Sequence, residues 1–432
     1  MNANRTVVAL LVFAGCCVDL GISLGDAPNE VPATQHLDEA NVSTGGATAT
    51  ALNELVFIAL TSNPALREAS AKVSVAQGNA IQVGLPPNPM VFTSSPQWAG
   101  SVSQYNVVFG QDFVTAGKLG LNRAVALRGV EQAQLDFSRT RYEVMTNVRR
   151  QFYATAVAQR RRDALRQLVE ATERSDEVGK KLLAAGLTNI ADSMSLTIDL
   201  EKARAALESQ SAELNAARKR LAASIGSPEM TIGELDFDLE AKLPEFEYEA
   251  LRLGVIDRNA LAATAAVDVR KTQLQLRRAE VEPIPNFNVQ GGYQYGVREP
   301  LHDQGYAQFT TSLPIWDRNQ GGIRAARADS ARAVAAVERV ENELSQQTAA
   351  ALGEYRTASE RTSAYVRQIL PKARDVHRSN VILYDKGQND VLRLLQSQRT
   401  LIDSDLGYLD AQWSRWNAAV TLAGLLQLEQ FP

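Results

Sequence analysis

Cysteine is nearly missing: the chain has two in 432 residues, adjacent at Cys16 and Cys17. Neighbouring thiols cannot staple a fold, and with His36, His302 and His377 scattered they offer no zinc site, so disulfide-rich and zinc-finger classes are out. Five methionines add no clustered ligand spacing, so neither a metal site nor a cofactor is expected. A basic excess is also lacking: 45 Lys plus Arg face 49 Asp plus Glu, which leaves −4 and excludes a nucleic-acid binder with a basic footprint. No segment reaches the roughly 18 apolar residues of a membrane helix, so a membrane-embedded form would have to use strands. Glycine (27) and proline (15) are sparse and aromatics are 6% of the chain, a composition that suits long helices. There is no Walker-type glycine loop, no HExxH and no Ser, His and Asp set with supporting context, so no catalysis is expected.

What is present begins with Arg5 and the apolar stretch Thr6 to Ala14, too short for a permanent membrane span, which reads as a signal peptide over 1–15. Phe13-Ala14-Gly15-Cys16 resembles a bacterial lipobox, which would make Cys16 the acylated first mature residue. The alternative is an ordinary cleaved signal with two incidental cysteines. Residues 16–49 lack periodicity and read as an extended arm.

The rest of the chain is a duplication, with a first repeat at 50–228, a connector at 229–249 and a second repeat at 250–428. Each half opens with a helical pattern, at Ala59 to Leu66 and Gly254 to Leu261, and then meets prolines that force extended chain, Pro86-Pro87-Asn88-Pro89 and Pro283-Ile284-Pro285-Asn286. Alternation follows. Phe287, Val289, Gly291, Tyr293 and Tyr295 fall on one face and Asn286, Asn288, Gln290, Gly292 and Gln294 on the other, with a return segment carrying Ala307, Phe309, Thr311 and Leu313. In the first half Tyr105, Val107 and Phe109 oppose Gln104, Asn106, Gly110 and Asp112, while Met90, Phe92 and Trp98 read as an outward set on the preceding strand. Strand pattern alone favours a soluble sheet with one face on a helical core.

After each hairpin comes a long stretch rich in Ala, Leu, Glu, Gln and Arg with almost no breaker, about 118–185 and 319–386. Arg123 and Arg324 lie 201 apart, as do the glycines that end the two stretches, Gly186 and Gly387. At 1.5 Å per residue each would extend roughly 100 Å, and its apolar stripe needs packed coiled-coil partners.

Helix, hairpin and long helical hairpin, repeated twice behind an export signal, resemble the TolC-type outer-membrane efflux channels, from about Leu52 to Gln427. The stretches Gly84-Leu85-Pro86-Pro87-Asn88-Pro89, Gln111-Asp112-Phe113 and Gly117-Lys118 look most like the outer-membrane components of cobalt-zinc-cadmium resistance systems. The resemblance implies a mainly α protein with a membrane β-barrel part: four strands per protomer, a trimeric twelve-strand barrel and a coiled-coil tunnel through the periplasm. It implies an exit duct for heavy-metal cations, or alternatively for drugs or secreted protein, joined to a periplasmic adaptor and an inner-membrane pump of the resistance-nodulation-division type. Phe287, Val289, Tyr293 and Phe309 would then meet outer-membrane lipid. The tips at Gly186, Leu187, Thr188, Gly387, Gln388 and Asn389 would meet the adaptor. The family's entrance is narrowed by aspartates six residues after each tip glycine; here that position holds Asp192 in the first half but Arg393 in the second, with Asp390 the nearest acid. Either a carboxylate ring or an inter-helix pair of Arg393 with Asp192 or Asp390 could close it. Two competing readings are a periplasmic adaptor, which has one helical hairpin where this chain has two, and a coiled-coil scaffold lipoprotein that never inserts.

Overall fold

The computed structural model describes residues 51–97, 104–186, 188–296, 304–386, 388 and 391–431. The expected signal peptide, arm and Cys16 lie outside the described residues, as do Trp98, Leu187, His302, Gly387, Asn389 and Asp390.

Each half has the same succession of elements. The first runs α1 (Leu52–Ser62), α2 (Pro64–Gln82), β1 (Met90–Gln97), β2 (Gln104–Phe113), α3 (Lys118–Ala184) and α4 (Ile190–Ile225). The second runs α5 (Tyr248–Arg258), α6 (Ala260–Val281), β3 (Phe287–Gly296), β4 (Gln304–Thr311), α7 (Gln320–Ala364), α8 (Leu370–Asp385) and α9 (Val391–Leu425). The four strands make one antiparallel sheet in the order β1-β2-β3-β4, so the hairpins of the two halves join at β2 and β3. Among the described residues no helix is long and apolar enough to cross a membrane.

The second long helix is not continuous, contrary to the sequence reading. A π-helical turn, Tyr365–Ile369, separates α7 from α8, and the Leu370 N–H reaches back five residues to the Tyr365 carbonyl. Pro371 supplies the reason: it has no N–H for the carbonyl four residues back, and the widened turn accommodates its ring.

The main core lies where the connector wraps the helices. Ile232, Leu235, Leu239 and Leu243 pack with Phe152 and Tyr153 of α3, Leu221 and Ile225 of α4 and Leu422 of α9. Each such side chain contributes about 1.5–3 kcal/mol. Tyr153 stacks on Trp416 with ring centroids 4.4 Å apart, Phe237 meets both rings edge-on, and the buried Trp416 Nε1 donates to the Leu239 carbonyl at 3.1 Å. Gly226 ends α4 at φ +91°, where a Cβ would stand 2.9 Å from the Asn63 backbone, so glycine is required on both counts.

Candidate functional site

Residues directly opposite in an antiparallel sheet point to the same side, so the register fixes its two faces. Val91 pairs with Phe109, Val107 with Tyr293, Tyr105 with Tyr295, Phe113 with Phe287 and Val289 with Phe309. These residues form one continuous apolar face. Phe113 stacks on Phe287 at 5.0 Å, and Phe287 lies 5.5 Å from Phe309. The face is open: Phe309 is 64% exposed and Tyr293 53%. A sheet with this face on a helical core is therefore excluded. Leu313, Ile315 and Trp316 prolong the exposed apolar surface beyond β4.

Met90 and Phe92 correct the sequence reading. They pair with Gly110 and Val108 and so lie on the opposite face, while Val91 and Thr93 face the apolar side. Alternation within a short, weakly patterned strand gives two faces without saying which is which, and pairing to β2 decides it.

The opposite face carries the polar residues Asn106, Asp112, Asn288, Gln290, Gln294, Gln308 and Thr310 in register, with Met90, Phe92, Val108 and Tyr306 among them. Asn288 Nδ2 donates to Asp112 Oδ1 at 2.7 Å. The base of the sheet ties the two halves together. Thr115 Oγ1 donates to the Pro285 carbonyl at 2.7 Å, and the Thr115 amide donates to Asn286 Oδ1 at 3.2 Å. Lys118 Nζ donates to the Ile284 carbonyl at 2.6 Å and to Asn286 Oδ1 at 3.2 Å, leaving this lysine only 3% exposed. Gly117-Lys118 stands out in the sequence as a motif, but the bridge it makes spans the two halves and is not visible there.

At the first tip Gly186 takes φ +71°, and Asn189 caps α4 by accepting from the Asp192 amide at 2.8 Å. Asp192 answers: its Oδ2 accepts from Asn189 Nδ2 at 2.7 Å and from Thr188 Oγ1 at 3.3 Å. This is a reciprocal cap on the first turn of a helix, where negative charge also suits the dipole. At the second tip the Gln388 amide donates to the Leu383 carbonyl at 2.9 Å. Arg393 is exposed, and among the described residues it makes no ion pair, so one chain alone does not bring it together with Asp192. Deeper in the hairpin, Asp176 accepts from Thr197 Oγ1 at 2.6 Å and pairs with Lys180 at 2.7 Å; the Lys180 bond first, and the Thr197 bond second, hold its carboxyl below the usual carboxylate range. Ile190, Met194 and Ile198 form an exposed apolar stripe at i, i+4, i+8 on α4, and Val376, Ile382 and Leu383 leave another apolar surface on α8. Among the described residues no group of three or more His, Cys, Asp or Glu could hold a metal ion.

The family model described as outer membrane efflux protein matches residues 55–227 and 255–426. The cobalt-zinc-cadmium resistance protein CzcC of Cupriavidus metallidurans is 23% identical over 379 residues, 87% of this chain and 89% of that one. Among solved structures, CusC, described for conformational changes accompanying folding and transmembrane channel formation, superposes with a TM-score of 0.74 at 17% identity, covering 87% of this chain and 91% of its own. The open-state MtrE outer membrane channel of Neisseria gonorrhoeae gives 0.73 at 17% identity, with 87% and 88% covered. With the family model matched in both halves and the same fold in these channels, the chain belongs to the outer membrane efflux protein family.

Proposed function

We propose that three copies of this chain close into a twelve-strand barrel and a helical tunnel, the exit duct of a tripartite system that carries heavy-metal cations outward. Family membership makes the protein an outer-membrane efflux duct with a periplasmic tunnel. The observation that carries the trimer is the sheet itself: β1 and β4 are both edge strands, and the apolar face is open. In lipid each unpaired backbone group costs several kcal/mol, and four strands cannot close on themselves, so the edges must meet copies of one another. The unpartnered stripes on α4 and α8 call for the same neighbours along the tunnel.

The adaptor meets the tips around Gly186, Thr188 and Gln388, with the pump beyond it. Asp192 and Arg393 with Asp390 form the entrance gate between neighbouring hairpins. The 23% likeness to a cobalt-zinc-cadmium resistance protein supports metal cations as cargo. Membrane-extracted protein should migrate as a heat-modifiable trimer, and deleting its gene should lower tolerance to zinc, cobalt or cadmium while leaving drug tolerance unchanged. A monomer on extraction rejects the duct, and sensitivity to drugs alone rejects the cargo.

A further inference from the structure

We propose that the polar face of the strand sheet is a cation-selecting lining and that Asp112 supplies its charge; this rests on the trimeric barrel above. Asp112 is the only Asp, Glu, Lys, Arg or His within the four strands. The register puts it on the face opposite Phe109, Val289 and Phe309, which in a barrel standing in lipid is the lumen.

Among the described residues Asp112 makes no ion pair, and the buried ammonium of Lys118 is committed to the Ile284 carbonyl and Asn286 Oδ1. A hydrogen bond from Asn288 Nδ2 holds the carboxylate on this face. The other polar side chains of this face, Asn106, Asn288, Gln290, Gln294, Gln308 and Thr310, are neutral amides and a hydroxyl, so Asp112 alone sets the sign of the lining, which suits hydrated cations and disfavours anions.

In the trimer the register repeats at one level, so three carboxylates stand near the base of the strands, close to where α3 begins. Low-dielectric walls focus their field into the lumen. The ligand class is the mobile, hydrated mono- or divalent cation in transit, held by charge and amide oxygens without inner-sphere capture.

The test is the reversal potential of the purified trimer in planar bilayers under a tenfold potassium chloride gradient. Wild type should prefer cations. Asp112→Asn keeps the acceptor for Asn288 and should bring the permeability ratio several-fold closer to unity, and Asp112→Glu should retain the preference. Gln290→Lys, on the same face with Asp112 intact, should lower the ratio and serves should Asp112→Asn not assemble. Each comparison is repeated in an Asp192→Asn background, because the tips lie in series with the barrel. A wild-type trimer that conducts with the same reversal potential as these variants overturns the proposal alone. Wild-type protein that forms neither trimers nor channels overturns the duct reading beneath it.

Discussion

Asn63 and Asn259 make the same pair of hydrogen bonds in the two halves of the chain. Each side-chain oxygen accepts from the amide two residues on, Ala65 at 2.9 Å and Leu261 at 3.0 Å, and so caps α2 or α6. Each Nδ2 donates at 3.0 Å to the last turn of its return helix, at the Ser224 carbonyl of α4 and the Leu425 carbonyl of α9. One side chain thereby satisfies an orphan donor of one helix and an orphan carbonyl of another.

Asn63→Ala or Asn259→Ala should each lower the thermal midpoint, through about 1 kcal/mol for the lost cap and about 1–3 kcal/mol for the buried carbonyl left without a donor. Aspartate at either position keeps the cap and loses the donor, so it should recover only the first part. Equal melting of the alanine and aspartate variants would show that the cap contributes nothing, and an aspartate variant as stable as wild type would show that the bond to the return helix contributes nothing.

The two faces of the sheet make a second prediction. Phe287→Arg, Val289→Arg or Phe309→Arg puts a guanidinium on the lipid face three times per barrel, at a cost per copy that rises from about 0–1 kcal/mol near the interface to about 2–4 kcal/mol at the midplane. Outer-membrane trimer should fall sharply in a fractionated cell, whereas Gln290→Arg and Gln308→Arg, on the polar face, should assemble. Equal tolerance on both faces rejects the lipid assignment.

Acid should loosen the α3–α4 hairpin. Asp176 has a folded pKa lowered by Lys180 and then Thr197. Its contribution is present above the unfolded value near 3.9 and is lost as pH falls through the lower folded value. Amide exchange in that part of α3 and α4 should quicken below about pH 4 in wild type, and Asp176→Asn should flatten that pH dependence. A variant that follows wild type throughout this range removes Asp176 from the account.

Much of this was legible in the sequence because the duplication doubled every signal: proline runs before each hairpin, alternation within it, and glycines 201 residues apart. Three things were not. Pro371 was hidden in an Ala- and Leu-rich helical pattern, and only the backbone shows that it costs a π-helical turn. Met90 and Phe92 went to the wrong face because a short edge strand takes its face from its partner. The Lys118 bridge joins residues more than 160 apart, and no local pattern reports such a contact.

We propose acylation at Cys16 on the Ala14-Gly15-Cys16 junction. Mass spectrometry of the mature N-terminus should find a lipidated cysteine there, and a free N-terminus at any other residue sinks the idea. Cys16→Ser should still assemble, because the barrel buries far more apolar surface than one anchor adds.

The entrance requires a variant that separates charge from capping. Asp192→Ala removes both the charge proposed to meet Arg393 of a neighbouring hairpin and the acceptor of Thr188 and Asn189 at the start of α4. Asp192→Asn removes the charge and keeps an oxygen for both donors. If a charge pair holds the tips together, Arg393→Ala, Asp192→Ala and Asp192→Asn should all raise single-channel conductance, since an uncompensated partner in a narrowing loosens the closed state. The difference from wild type should shrink at high salt as screening weakens the pair. Lys181→Ala, which breaks only an exposed pair with Glu177, should leave conductance unchanged. Should Asp192→Ala open the channel while Asp192→Asn and Arg393→Ala do not, the entrance is held by the helix cap and not by charge; three variants conducting like wild type at low salt would mean that these residues are not the gate.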